Sequence, residues 1–149
     1  MSENVLTVIP DLEDFIPSEQ ARYLAKGKLE RWIPGARKIS IVESEHVRFY
    51  DSGVFFETIT CPNCGVKIEV TWWQDAMNKA YESKFAFLEI VTPCCGFHSS
   101  LNRLSYDWPC GFARFAIVIH SPGAGISEPQ SRELSHLLET EIRTIRTRY

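Results

Sequence analysis

Long apolar runs are missing from this chain. The longest candidate, Phe115 to Ile119, is a strand's worth, far short of the roughly 20 residues that a membrane-crossing helix needs. The start, Met1-Ser2-Glu3-Asn4, lacks the basic residues and apolar stretch of a secretory leader, so a cytoplasmic location and no membrane partner are the expectation. Positive charge is not in surplus either. Sixteen Lys and Arg against 19 Asp and Glu leave a formal net charge of −3, and no general field draws the protein to phosphate backbones. There is no Walker loop, dinucleotide fingerprint, Gly-x-Ser-x-Gly or His-Glu-x-x-His, and no His-x-Glu element of the zinc deaminases. The histidines His46, His98, His120 and His136 are scattered. No catalytic residue is assigned, and a non-enzyme is the expectation.

What the chain does have is cysteine in a telling arrangement. Five cysteines are an odd number, and in a cytosolic chain they point to metal or redox chemistry rather than a disulfide framework. Four of them sit in Cys61-Pro62-Asn63-Cys64-Gly65 and Pro93-Cys94-Cys95-Gly96. Proline stiffens such a turn, and glycine lets the chain fold back so that backbone amides reach the sulfurs. A Cys-x-x-Cys at the start of a helix would be an activated dithiol; here the pair precedes an alternating apolar stretch, which favours metal. Four thiolates close a tetrahedral zinc site and make the ion a structural staple, whereas a catalytic zinc keeps a position open for water. The expected ligands are Cys61, Cys64, Cys94 and Cys95, with His98 or Cys110 as the substitute for one of the last pair.

The Cys61–Gly65 stretch resembles the Cys-Pro-x-Cys-Gly knuckle of zinc-ribbon proteins, and Pro93–Gly96 resembles it in part. The resemblance implies a bound Zn2+ held between two such turns. Laid on the same pattern, the second turn puts Thr92 where the first cysteine belongs, and the interval from Cys64 to Cys94 exceeds the usual ribbon spacing of about 15–20 residues. The run from Pro93 to Phe115 resembles uncharacterised bacterial proteins, which implies no activity.

The rest of the pattern predicts an α+β fold: an antiparallel sheet with the first and last helices on one face and an inserted zinc-ribbon-like lobe at about 57–110, within a single domain spanning 1–149. Val5–Ile9 reads as a strand. Ser18 is a plausible cap for a helix with Ala21, Leu24, Ala25, Leu29, Trp32 and Ile33 on one face, stopped by Pro34-Gly35. Lys38–Val42, continued by Val47 and Phe49, alternates as a strand; Phe55, Glu57, Ile59 and Cys61 share the parity of another, and Val66, Ile68 and Val70 of a third. Thr71 and Gln74 suggest a capping box for a helix burying Trp73, Ala76, Met77, Ala80 and Tyr81. Phe85–Val91 is then an apolar strand, Leu101–Tyr106 extended, and Phe112–His120 a mostly buried strand. A last helix, capped by Ser127 and Gln130, carries Leu134, Leu137, Leu138, Ile142 and Ile145, with Arg143, Arg146 and Arg148 at its cation-favouring end.

For function, these features point to a zinc-binding protein of the accessory or immunity type that binds another, basic, protein, with Asp11–Glu19 as a candidate contact. Trp72, Trp73, Tyr106, Trp108, Phe112 and Phe115 serve either as packing around the insertion or as a recognition surface. Nucleic-acid binding through Lys67, Lys79, Lys84 and Arg103 is the first alternative, and a zinc hydrolase the second.

Overall fold

The computed structural model describes residues 3–53 and 57–148; the expected strand position Phe55 lies outside them. Among the described residues, three α-helices accompany a four-stranded antiparallel sheet and two small two-stranded sheets, an α+β architecture. The main sheet has the order β2-β7-β1-β8, built from β1 (Asn4–Pro10), β2 (Lys38–Tyr50), β7 (Gly111–His120) and β8 (Ile142–Arg148). Between β2 and β7 lies the cysteine-bearing stretch. It contains β3 (Ile59–Thr60), α2 (Val70–Glu82), β4 (Glu89–Val91), β5 (His98–Ser100) and β6 (Ser105–Tyr106).

One face of the sheet carries both long-range helices. Helix α1 (Glu19–Trp32) starts where the Ser18 hydroxyl accepts the Ala21 N–H, and α3 (Glu128–Leu138) starts on the reciprocal box of Ser127 and Gln130. Ala25, Leu29 and Ile33 from α1 and Leu134 and Leu138 from α3 close over Leu6, Val8, Phe115, Ile117 and Ile119 of the two inner strands. Leu24, expected on the packing face of α1, is instead 52% exposed, because the buried stripe narrows to Ala21, Ala25 and Leu29.

The C-terminal segment corrects the sequence reading most sharply. Helix α3 stops at Leu138, Glu139 turns left-handed with φ 59°, and Ile142–Arg148 becomes β8. Ile142 and Ile145 happen to fit a helical spacing, but Thr140, Thr144 and Thr147 favour extended backbone. The decisive term is tertiary. Strand β1 has an open edge, and β8 pairs with it along its whole length from Asn4↔Arg148 to Pro10↔Ile142. Arg143 therefore does not close a helix; it faces across the sheet.

That arginine ties the main sheet to the inserted lobe. Its guanidinium donates to Asp11 Oδ1 (2.8 Å), to Asn102 Oδ1 (3.1 Å) and to the Cys110 carbonyl (2.7 Å). Arg103 donates to the other Asp11 oxygen at 2.9 Å, and Asn102, 1% exposed, donates to Glu13 and accepts the Phe112 N–H. Gly111 opens β7 because a Cβ there would lie 2.6 Å from Arg143 Nη1. Burial opposes ionisation of Asp11, yet the hydrogen bonds and charges of Arg103 and Arg143 outweigh it and hold its carboxyl below the usual value.

A second apolar cluster sits under the lobe. Val47 and Phe112 of the main sheet pack with Ile59, Cys61, Ile68, Ala80, Leu88, Leu101 and Leu104. Trp73 donates its indole N–H to the Tyr106 hydroxyl (3.1 Å), which donates to the Leu101 carbonyl (2.6 Å). Trp73 and Tyr106 are thus packing groups, as are the fully buried Phe112 and Phe115, while Trp108 stays 41% exposed.

Several local expectations within the lobe differ from the structure. Helix α2 begins at Val70 with Glu69 as its cap and no side-chain cap bond, so Thr71 and Gln74 form no capping box. Val66, Ile68 and Val70 make no strand beyond a single bridge, Thr60↔Lys67; β3 pairs with β6 instead. Tyr81 is 68% exposed rather than buried. The strand expected from Phe85 shrinks to Glu89–Val91. Lys84 and Phe85 adopt left-handed backbone (φ 56° and 60°), swinging the Phe85 ring in against Phe112 at 5.4 Å. Leu101–Arg103 is a single 3-10 turn, not extended.

Two outcomes follow from the arginine network. Arg143→Ala lowers unfolding free energy by about 2–4 kcal/mol, read from the urea midpoint, because buried acceptors lose their donor. Asp11 has a depressed folded-state pKa, so its contribution is full above the ordinary value near 3.8 and is lost as pH falls through the folded value. Asp11→Asn therefore flattens the acid limb of the stability-against-pH curve.

Candidate metal centre

The two cysteine-bearing turns have one shape. In the first, the Cys61 N–H donates to the Val66 carbonyl (2.9 Å) and the Gly65 N–H to the Cys61 carbonyl (3.0 Å). In the second, the Thr92 N–H donates to the Phe97 carbonyl (2.9 Å) and the Gly96 N–H to the Thr92 carbonyl (3.1 Å). Gly65 and Gly96 both sit in the left-handed region, φ 75° and 69°, which a side chain would resist. Thr92 thus stands where Cys61 stands, Cys95 where Cys64 does, and Cys94 takes the place of Asn63. Cys61 and Thr92 are each 2% exposed, at the base of their turns.

The turns face one another, and their sulfurs converge. One sulfur each from Cys61, Cys64, Cys94 and Cys95 lie within 4.8 Å of all the others. Cys61 Sγ is 3.8 Å from Cys95 Sγ, and Cys64 Sγ is 3.3 Å from Cys94 Sγ. A tetrahedron with Zn–S bonds of 2.3 Å has edges of about 3.8 Å, so the donor set fits that ion with small adjustment. All five cysteines are free thiols. His98, on β5, and Cys110, buried just before β7, do not belong to the gathered group. Burial pushes the Cys110 thiol up to about 12, keeping it neutral and unreactive.

The polar surroundings favour thiolate at some positions and oppose it at others. The backbone N–H of Cys64, helped by that of Asn63 and by the Thr92 hydroxyl, draws Cys61 down to about 6. The Thr92 hydroxyl (3.5 Å) and the Asn63 side-chain amide (3.6 Å) likewise lower Cys95. The Val66 amide favours a Cys64 thiolate, but Cys94, desolvation and the two other sulfurs outweigh it and hold Cys64 up to about 12. Four sulfurs this close cannot all carry negative charge unaided; a cation at their centre removes the conflict. Bound there, Zn2+ would be held by four thiolates, with no position for water, and would act as a cross-link between the two turns.

Thr92 and Asn63 are functional neighbours that composition does not reveal. Thr92 accepts the Phe97 N–H at 2.9 Å while its hydroxyl touches Cys95, so it keeps the second turn folded without supplying a sulfur. The signal for it was present in the register of the two turns. The remaining histidines serve elsewhere: His120 Nδ1 lies 2.8 Å from Glu3 Oε1, and His136 sits in the last turn of α3. No helix is long and apolar enough to cross a membrane among the described residues.

Replacing the ligand sulfurs and their supports gives separable results. Cys64→Ser or Cys94→Ser is expected to reduce metal from one equivalent per chain to a substoichiometric level, measured by atomic emission after dialysis. Thr92→Val is expected to keep the stoichiometry while weakening affinity about 10- to 100-fold in a chelator competition, the usual cost of losing a partner of a metal ligand. No protein-family model matches the chain, and neither does any curated protein or solved structure.

Proposed function

We propose that this chain is a non-enzymatic, cytoplasmic zinc protein of the accessory or immunity type, whose ion staples a lobe that binds another protein. Residues 1–149 form one α+β domain in this reading, and the insertion at about 57–110 is its working part. The gathering of four sulfurs within 4.8 Å is the observation that carries it. Cys61, Cys64, Cys94 and Cys95 are the ligands, and the metal is structural because four thiolates leave no open position.

Exposed apolar surface supports the interaction role. Val66, Val70, Tyr81, Phe87, Val91, Phe97 and Trp108 are exposed within the lobe, against only Leu12, Tyr23 and Leu24 elsewhere among the described large apolar residues. Such concentration marks a contact surface more than scattered residues do. The acidic stretch from Asp11 is a poorer contact than its composition suggests, since Asp11 is held by Arg103 and Arg143 and Glu13 by Asn102. Nucleic-acid binding draws less support for a related reason: Arg103 already pairs with Asp11, and Lys79 stands among carboxylates.

The test begins with metal content and cobalt substitution of the purified chain, where four-sulfur coordination gives intense thiolate-to-cobalt absorption and a tetrahedral visible band. Chelation is expected to lower hydrogen-exchange protection across 57–110 while leaving β1, β7 and β8 protected. In a native-host capture experiment the metal-loaded chain should retain a protein partner that the chelated chain releases. Metal-free material with full protection across the lobe sinks the reading.

A further inference from the structure

Beside the cysteine cluster, a groove of about 740 Å³ runs between α2 and the β4–β5 hairpin. Its apolar surface comes from Trp72 on the helix, Ile90 on β4 and Phe87 from the connection, the last 72% exposed. Its charge comes from Asp75 and Glu82 on α2 and Glu89 on β4. Lys79 is the only lysine or arginine lining it, and four residues from Asp75 it could have neutralised that carboxylate. Yet among the described residues neither Lys79 nor any of the three carboxylates forms an ion pair.

The layout selects a class of ligand. Asp75 and Glu82 are two helical turns apart on one face of α2, about 10.5 Å along its axis, and Glu89 stands on the opposite wall. A single compact cation cannot meet charges spread that far, and phosphate would be repelled by all three. A chain segment with several positive side chains can meet them, while an apolar side chain between fills the Trp72–Ile90 surface. Long basic side chains also lay their aliphatic stems on aromatic rings, which suits exposed Phe87 and half-buried Trp72.

We propose that this groove is the docking site for a basic segment of a partner protein, which inserts one apolar side chain against Trp72 and Ile90 and sets lysines or arginines over Asp75, Glu82 and Glu89. The proposal rests on the interaction role argued above and gives it a place and a partner chemistry. It also gives the metal a purpose. One wall, α2, begins at Val70, five residues after the glycine of the Cys61–Gly65 turn, and the other, β4–β5, carries the Cys94–Cys95 turn at its tip. Joining the tips fixes the distance between the walls.

The full metal-loaded chain, labelled with nitrogen-15, is titrated with a synthetic peptide that has one phenylalanine between two pairs of lysines in a glycine-serine background. Two control peptides replace the lysines by glutamates or the phenylalanine by serine. Saturable amide shifts confined to α2 and residues 87–91 are expected, with both controls at least about tenfold weaker. The double variant Asp75→Lys, Glu82→Lys is expected to lose the same factor while keeping its metal, since both side chains are exposed and distant in sequence from the cysteines. Absence of saturable shifts, equal binding of the acidic control, an unchanged affinity in the double variant, or preferential binding of a DNA duplex overturns the docking site. Metal content measured on the same samples separates the two readings. A stoichiometric ion with no peptide binding removes the groove alone, and a chain isolated without metal removes the staple.

Discussion

Four sulfur atoms forced into one small volume are the constraint around which the inserted lobe is arranged. Nothing about a thiol's packing calls for three others as neighbours, and their mutual repulsion on ionisation makes the arrangement costly without a cation. The backbone accepts that cost twice over, by folding two separate stretches into the same glycine-dependent turn. Helix α2 and the short β4–β5 hairpin are consequences. Helix α2 and β4 run from one turn to the other, and the β4–β5 hairpin carries the second turn at its tip.

The lobe would still be a loose appendage if the sulfurs were its only anchor. Two further attachments prevent that, one apolar and one polar. Phe112 and Val47 are shared between the main sheet and the cluster beneath the lobe, so the two cores meet at β7 and β2. On the polar side, Asp11, Asn102, Arg103 and Arg143 join the end of β1, the 3-10 turn and β8 in one network. These are hydrogen bonds to buried or half-buried groups, where an unpaired partner is expensive, so the network fixes position as well as adding stability. An ion bound by the four sulfurs would hold the far end of a structure whose near end is already welded to the sheet.

Much of this was legible in the residues. The turns announced themselves through Cys-Pro-x-Cys-Gly, and laying one on the other already placed Thr92 opposite Cys61, which the hydrogen bonds now support. Strands β1 and β7, helix α1 and the capping box of α3 follow local rules of alternation, periodicity and capping. Illegible parts share a physical cause. Ile142 and Ile145 satisfy a helix as well as a strand, and only the open edge of β1 decides between them. Phe85 reads as the start of a strand, and only its ring packing against Phe112 accounts for a left-handed turn there. Arg143 looks like a helix-end cation until its partners, far off along the chain, are brought to it. Long-range partners decide each of these cases, and a local pattern carries no record of them.

Strand β8 has one more consequence, for the company the molecule keeps. It borders the main sheet, where unpaired amides and carbonyls invite a foreign strand to add itself, although at its C-terminal end Gly53 already bridges Arg148. Here the Arg143 side chain is held by Asp11 and Asn102, while Arg146 and Arg148 stand along the strand with Thr144 and Thr147. A second copy approaching edge to edge would bring the same cations against them, so like repels like before hydrogen bonds can form. The segment that sequence alone would wind into a helix therefore sets cations, rather than apolar side chains, along a border of the sheet.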